Sequence, residues 1–297
     1  MTSNRQLDLR IVLLMLLLCS IWAGAQTAVR IAGEVFPPLQ QAGLRSLVST
    51  VLLTGWCAVQ GRLPFGRDRQ WPWGLLLGVV FAFEFVFQYS GLMLTDVSRG
   101  VLFIYTSPFF AAAGAHLIAA DERLSARQMT GLVLAFLGVC LALSSNLGAF
   151  QARQLVGDLL CLSMGALWGA DMLIVRFSPL RTLPAERVLF YCLAVSAPIL
   201  LGIAWLFGER PIGPLEIRPL VAFAYTAVMV SFVSYITMTW LLQRYPTAGI
   251  GSFIFLTPIL AVAMAGLVLG ERPPTLLMAA LALIALGIWL VNRRRGG

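Results

Sequence analysis

Two carboxylates and two tryptophans lie in the middle of long apolar stretches of this chain. Glu84 stands among aromatic residues, Asp171 follows Trp168 by three positions, and Trp22 precedes Gln26 by four. A carboxylate in apolar surroundings has to face a partner or a water-filled cavity, and such residues typically mark ion or solute sites. Aromatic rings pack against apolar or cationic groups, while amides and carboxylates hold polar ones. These residue types therefore indicate a site that binds a small molecule.

Helical spacing predicts that the polar and aromatic candidates share helix faces. Trp22 and Gln26 are four residues apart, and so are Glu84 and Gln88, which places each pair on one face of a helix. If these faces converge, they form one cavity between helices from both parts of the chain. The predicted substrate-binding residues are Trp22, Gln26, Glu84, Gln88, Tyr105, Trp168, Asp171 and Tyr235.

Each of these assignments has a structural alternative. The tryptophans are alternatively interfacial anchors or core packing residues. Glu84 either binds a substrate amine or a proton, or forms an ion pair with Arg45, the one arginine in the middle of an apolar span. Asp171 is alternatively a partner of Arg176 on the same helix. His116, the only histidine, is expected to be a packing residue near a helix end.

The composition indicates an all-α integral membrane protein. Hydrophobic residues make up 59% of the chain and charged residues 11%, and the mean hydropathy is +0.87. A soluble domain carries about 25% charged residues. Ten apolar stretches approach the roughly 20 residues that a helix needs to cross the hydrocarbon core. We predict spans at Ile11–Ile31, Leu39–Val59, Trp71–Leu94, Ser98–Ala119, Ala126–Ser145, Leu155–Phe177, Ala185–Phe207, Ile217–Leu242, Thr247–Leu269 and Pro273–Val291.

The arginines predict the orientation of the spans. The net charge is +8, but the arginines are spread between apolar runs rather than clustered with aromatic residues, which argues against a nucleic-acid partner. If the N-terminus is cytoplasmic, the inner segments hold fourteen arginines and the outer loops six. Positive charge collects on the cytoplasmic side of membrane proteins. We therefore expect both termini in the cytoplasm and the chain in the inner (plasma) membrane.

One motif occurs twice, half a chain apart. Tyr105–Arg123 and Phe255–Arg272 both contain an aromatic residue, a proline, an apolar run and an acid followed by arginine. In addition, Leu13–Arg30 aligns with Leu159–Arg176. These similarities predict two repeats of five spans each, residues 1–148 and 149–297. Because five is an odd number, the second repeat crosses the membrane in the opposite sense, so the repeats are inverted.

The repeated prolines are predicted hinges. Pro108 and Pro258 interrupt the backbone hydrogen bonding of their helices, which frees the carbonyls of Ile104 and Ile254 and bends the chain. The freed carbonyls either offer polar backbone to the cavity or simply mark positions where the helices flex.

The repeated motif, each copy followed by a glycine-containing helix (Gly131, Gly138 and Gly287), resembles the drug/metabolite transporter superfamily in its EamA-type branch. The resemblance covers both halves and implies a ten-helix, inverted-repeat carrier, commonly an exporter of amino acids or other metabolites. In the YddG-like aromatic amino-acid exporters of this superfamily, positions that match Tyr105 and Trp168 line the cavity. Ser107 stands where that group would have a tryptophan.

The sequence argues against an enzyme. It contains no nucleophile elbow, no metalloprotease motif, no phosphate-binding loop and no Cys/His cluster. We expect no cofactor and no metal, with a small-molecule substrate, the lipid bilayer and a possible coupling proton as partners. Two other functions stay open. One is a carrier of phosphorylated metabolites or nucleotide-sugars, and the other is a non-transporting assembly or lipid-handling protein.

Overall fold

The computed structural model describes residues 8–66, 69–144, 154–269 and 276–293. Within these ranges the chain forms helices joined by short connections, and no β-strand occurs there. The α-helices are α1 Leu9–Ala32, α2 Pro38–Val59, α3 Trp71–Leu94, α4 Val97–Ile104, α5 Ser107–Ile118, α6 Ala126–Leu143, α7 Leu155–Phe177, α8 Ala185–Leu206, α9 Ile217–Tyr225, α10 Tyr235–Leu242, α11 Thr247–Ile254, α12 Leu256–Leu269 and α13 Leu277–Asn292.

The predicted all-α membrane class is confirmed. Eight helical segments of the described residues are long and apolar enough to cross a membrane, while Thr247–Ala261 and Met278–Asn292 are shorter apolar helices. The bounds of α3 and α7 are those that hydropathy predicted. The polar residues that flank both helices, Gln70 and Thr95 for α3 and Gln154 and Ser178 for α7, account for this agreement, because a helix in lipid has to end where its backbone groups can reach water or a polar partner.

The fourth predicted span is two helices rather than one bent helix. Helix α4 ends at Ile104, and α5 begins at Ser107 with Pro108 in its first turn. Proline is well tolerated there, because the first N–H groups of a helix have no intrahelical partner. The Ile104 carbonyl faces α7, since a Cβ at Gly165 would lie only 3.0 Å from that oxygen. The ninth span has a similar break between α11 and α12, just before Pro258.

A π-helical segment, Thr226–Ser234, joins α9 to α10 within the eighth predicted span. A π-helix inserts an extra residue per turn and often occurs at functional sites. Its Ser231 and Ser234 are fully buried. The predicted span Ile217–Leu242 is found as one helical segment long and apolar enough to cross a membrane, but hydropathy does not reveal its widened turns.

Close backbone contacts between glycines hold helices together. A Cβ on Gly287 of α13 would lie 2.5 Å from the carbonyl oxygen of Gly131 in α6, and a Cβ on Gly131 would lie 2.6 Å from the carbonyl oxygen of Gly287. Gly157 of α7 approaches Gly91 of α3 in the same way, at 2.8 Å. Hydrophobic exclusion is weak between helices in lipid, so small residues stabilise their contacts by allowing close packing.

Candidate functional site

Three aromatic rings from α1, α7 and the α4–α5 break meet at the centre of the bundle. The ring centroids of Trp22 and Trp168 are 6.4 Å apart in an edge-to-face arrangement, and Trp168 makes the same kind of contact with Tyr105 at 6.4 Å. The indole nitrogen of Trp22 donates a hydrogen bond of 2.8 Å to Ser234 Oγ in the π-helical segment. The tryptophans are therefore central residues rather than interfacial anchors.

Helix α3 contributes a face of aromatic and polar side chains. Phe81 packs edge-to-face on Phe85 with centroids 5.1 Å apart, and on Tyr235 at 5.6 Å. Glu84 and Gln88 lie on this face because the helical repeat brings residues three and four apart onto one side. Both line the same cavity as the three central rings.

The cavity has a volume of ≈ 240 Å³ and is lined by α1, α2, α3, the α4–α5 break, α7, α8, the π-helical segment, α10 and α12. Its walls are mostly aromatic and aliphatic, with a few polar groups, as in typical small-molecule sites. The side chain of Gln26 lies outside the described residues. The other seven predicted residues all line the cavity: Trp22, Glu84, Gln88, Tyr105, Trp168, Asp171 and Tyr235.

Two carboxyl groups, those of Glu84 and Asp171, line the same cavity. Glu84 is 4% exposed, and its Oε1 atom is buried without a hydrogen-bond partner. Asp171 lies within electrostatic range of Glu84, and so does the thiol of Cys192. Two neighbouring carboxyls can share a proton or bind a single cationic group. This arrangement can therefore hold an ammonium group or carry a proton.

Neither of the ion pairs that the sequence left open is formed. Arg176 pairs with Glu122 rather than with Asp171, and Glu84 Oε1 and the Nε and Nη2 atoms of Arg45 have no hydrogen-bond partner. Arg45 lies instead over the face of Phe85, with its guanidinium carbon 4.5 Å from the ring centroid.

A buried cluster of charged and polar groups joins several helices at one end of the bundle. Arg176 donates from Nε to Glu122 Oε1 at 2.7 Å, and its Nη1 donates to the carbonyl of Gln243 at 3.2 Å. The other oxygen of Glu122 accepts from the backbone N–H of Thr247, at the start of α11, at 2.9 Å. The cluster therefore connects the segment after α5 to α7, to the end of α10 and to α11, and Arg176 pairs with Glu122 rather than with Asp171.

The opposite end of the bundle has its own polar contacts. Asp158 of α7 pairs with Arg99 and accepts a hydrogen bond of 2.6 Å from the Thr95 hydroxyl. The carboxylate of Glu209 accepts from the backbone N–H groups of Leu39 and Gln40, at 2.8 and 2.9 Å. It thereby caps the first turn of α2 with a negative charge, which is favourable at a helix N-terminus.

Some residues of the cavity were not predicted as site residues. Arg45, Cys192, Met164 and Thr257 all line it. Arg45 carried a signal, because it is the one arginine in the middle of a predicted span, whereas the other three have ordinary membrane-helix residue types. His116 does not line the cavity; its side chain is exposed rather than packed as expected, and its Nδ1 accepts a hydrogen bond of 3.0 Å from the Leu124 N–H.

Comparisons with known proteins agree with this architecture. The model of the EamA-like transporter family matches residues 9–144 and again 155–293. An uncharacterized transporter of Archaeoglobus fulgidus is 23% identical over 287 residues, which cover 95% of this chain and 97% of that protein. A probable amino-acid metabolite efflux pump of Salmonella typhimurium is 26% identical, with 93% of each chain covered. One solved crystal structure shares the fold, with a TM-score of 0.82, 20% identity and 94% of both chains covered.

Proposed function

This chain belongs to the EamA-like transporter family, and we propose that it exports small solutes, amino acids or related metabolites, across the inner membrane. Family membership makes it a multi-pass membrane transporter rather than an enzyme. The favoured solutes are amino acids with aromatic or other apolar side chains. The transport mode we propose is secondary transport by alternating access, in which the central cavity opens to one side of the membrane at a time.

The observation that carries this proposal is the central cavity itself. Its aromatic walls suit an apolar side chain, while Glu84 and Asp171 supply negative charge for an ammonium group. A relative named as a probable amino-acid metabolite efflux pump supports the same substrate class. The carboxyl pair also offers a place for a coupling proton.

We further propose that the chain consists of two inverted repeats of five spans. The helix contacts support this, because each contact of one half has an equivalent in the other half. Helix α5 packs on α7, and its equivalent α12 packs on α1. In the same way, α3 packs on α7, and its equivalent α9 packs on α1. The pairs α2–α8 and α6–α13 join equivalent helices of the two halves. The predicted boundary near residue 148 lies outside the described residues.

Phosphorylated substrates are less well supported. A phosphate or nucleotide-sugar carrier needs several cationic groups to hold the phosphate oxygens. Among the cavity-lining residues in the described part of the chain, Arg45 is the one basic side chain. A lipid-handling or assembly role does not account for a central cavity with polar and aromatic lining residues.

The test of the proposed function is transport by purified protein in liposomes. Labelled amino acids with aromatic, aliphatic, polar and charged side chains are each assayed with and without a pH gradient, against protein-free vesicles. We expect movement of amino acids with apolar side chains, and faster movement with a pH gradient of the correct sign. If no amino acid moves in either condition while the protein is folded, the proposed substrate class is wrong.

The topology is a separate prediction. We expect both termini in the cytoplasm, because the inner segments carry most of the arginines. A reporter that is active only in the cytoplasm should work when fused to Gly297, and a periplasmic reporter at the same position should not. Periplasmic activity would contradict the predicted orientation.

We also predict that Pro108 and Pro258 act as hinges. Each proline follows a break between two helices, where a change in backbone angles is least costly. Replacing either with alanine should favour a continuous helix and lower the transport rate severalfold, with little change in the amount of folded protein. Parent-like rates in both variants would reduce these prolines to packing features.

A further inference from the structure

Arg45 is a buried cation without an anionic partner. Its side chain is 4% exposed, lines the central cavity, and has buried Nε and Nη2 atoms without hydrogen-bond partners. Phe85 is its observed contact, through the face of the ring at 4.5 Å. A buried charge is strongly unfavourable unless it is paired. Its placement beside a cavity therefore requires a functional explanation.

Arg176 provides an internal comparison for the same group. Its Nε and Nη2 atoms lie along one edge of the guanidinium, and this edge binds Glu122 Oε1 at 2.7 and 2.6 Å. Parallel N–H groups on that edge match the geometry of a carboxylate. The two atoms of Arg45 that have no partner form the same edge. Arg45 thus has the donor geometry for a carboxylate that the protein itself does not supply.

We propose that Arg45 is the carboxylate-binding residue of the central cavity and selects solutes that carry a carboxylate as well as an ammonium group. This assignment rests on the proposed function, because it concerns the same cavity. The guanidinium packs on the ring of Phe85, and its Nε and Nη2 atoms make no hydrogen bond to the protein. This edge can therefore turn toward a solute without the loss of a hydrogen bond. A bound carboxylate would then satisfy the nitrogen atoms that have no protein partner.

The opposite pole of the same site is the carboxyl pair. Glu84 and Asp171 are suited to an ammonium group, and Arg45 lies farther from Glu84 than an ion pair allows. Arg45, Glu84 and Asp171 all line this cavity, so both poles belong to the same site. A zwitterion with its aromatic or aliphatic body against Trp22 and the neighbouring rings satisfies both poles at once.

Four probes with one aromatic body separate these contributions. Phenylalanine carries both charged groups, phenethylamine lacks the carboxylate, 3-phenylpropionate lacks the ammonium, and 3-phenylpropanol lacks both. Binding to purified protein in detergent is measured by titration calorimetry. We expect phenylalanine to bind at least about tenfold more tightly than phenethylamine, and 3-phenylpropionate more tightly than 3-phenylpropanol, because a charged hydrogen-bonded group is lost in each comparison.

The variants Arg45→Gln and Arg45→Lys test the residue directly, with Arg30→Gln as the control because Arg30 is exposed. Arg45→Gln should remove the preference for a carboxylate in both comparisons while it leaves phenethylamine binding within about twofold. Arg45→Lys keeps the charge but not the paired N–H edge, so it should show a reduced preference. It also provides the test if Arg45→Gln does not fold.

Two results would overturn the assignment of Arg45. One is an unchanged carboxylate preference in the folded variants, and the other is an equal loss of affinity for all four probes, which indicates a purely structural role. Liposome transport distinguishes this failure from failure of the proposed function. If carboxylate binding depends on Arg45 but no amino acid is transported, the assignment of Arg45 stands and the transport proposal is rejected. If Arg45→Gln transports amino acids at the parent rate, the transport proposal stands and the assignment of Arg45 is rejected.

Discussion

Arg176→Gln should lower both the thermal stability of the protein and its transport rate. The side chains of Arg176 and Glu122 are 6% and 5% exposed, so the substitution leaves a buried carboxylate without its cation. Removing one partner of a buried ion pair costs about 3–5 kcal/mol. The same cluster joins α5 to α7, α10 and α11, which come from both halves of the chain. We expect a loss of at least about tenfold in transport, since the substitution disturbs the contact that closes this end of the bundle.

Arg30→Gln is the matched control for this variant. Arg30 occupies the position on α1 that corresponds to Arg176 on α7 in the alignment of the two halves, but its side chain is exposed. Exposed substitutions away from special contacts change the free energy of unfolding by at most about 0.5 kcal/mol. Thermal unfolding in detergent and liposome transport should therefore distinguish the two variants clearly.

The double variant Arg176→Gln, Glu122→Gln separates an ion-pair effect from a general loss of packing. It leaves no isolated buried charge, so part of the stability lost in Arg176→Gln should return. If Arg176→Gln unfolds at the parent temperature and transports at the parent rate, this cluster does not hold the two halves together. If the double variant is less stable than either single variant, the pair is not the main source of the effect.

Much of the fold could be predicted because lipid imposes a simple rule on sequence. Apolar runs of sufficient length have to be helices that satisfy their own backbone. The bounds of α3 and α7 therefore followed from hydropathy alone. The α4–α5 break was predicted only as a bend at Pro108, since how a helix accommodates proline depends on its neighbours. Here Gly165 of α7 allows the approach of the Ile104 carbonyl.

The candidate site was predictable where a residue type is costly in lipid. Glu84 and Asp171 stood out for this reason, and the structure brings them to one cavity. The pair of Arg176 with Glu122 was missed, because Glu122 is distant in sequence and Asp171 on the same helix was the partner that helical spacing suggested. The π-helical segment was missed as well. Its last residue, Ser234, accepts a hydrogen bond from Trp22, a contact between distant parts of the chain that no local pattern encodes.

Trp168→Ala should reduce transport while the protein stays folded. The ring of Trp168 makes edge-to-face contacts with Trp22 and Tyr105, and it is only partly buried because one side lines the cavity. Each aromatic contact contributes about 0.5–1.5 kcal/mol beyond the burial of area. The two contacts and the lost surface for a solute together predict a decrease of roughly tenfold or more in transport efficiency for solutes with aromatic side chains.

Two further substitutions determine whether this effect belongs to the cavity. Trp168→Phe keeps a flat surface of smaller area, so it should retain more transport than Trp168→Ala. Trp205→Ala changes a tryptophan that is 80% exposed near the end of α8, and it should leave both transport and stability unchanged. Initial rates in liposomes and thermal unfolding are compared for all three variants. Equal rates in Trp168→Ala and the parent would show that the ring is a packing residue. We expect only a small fall in the unfolding temperature of Trp168→Ala, because a side chain that faces a cavity contributes less to the stability of the bundle than one packed on every side. A large fall would instead assign the lost transport to misfolding.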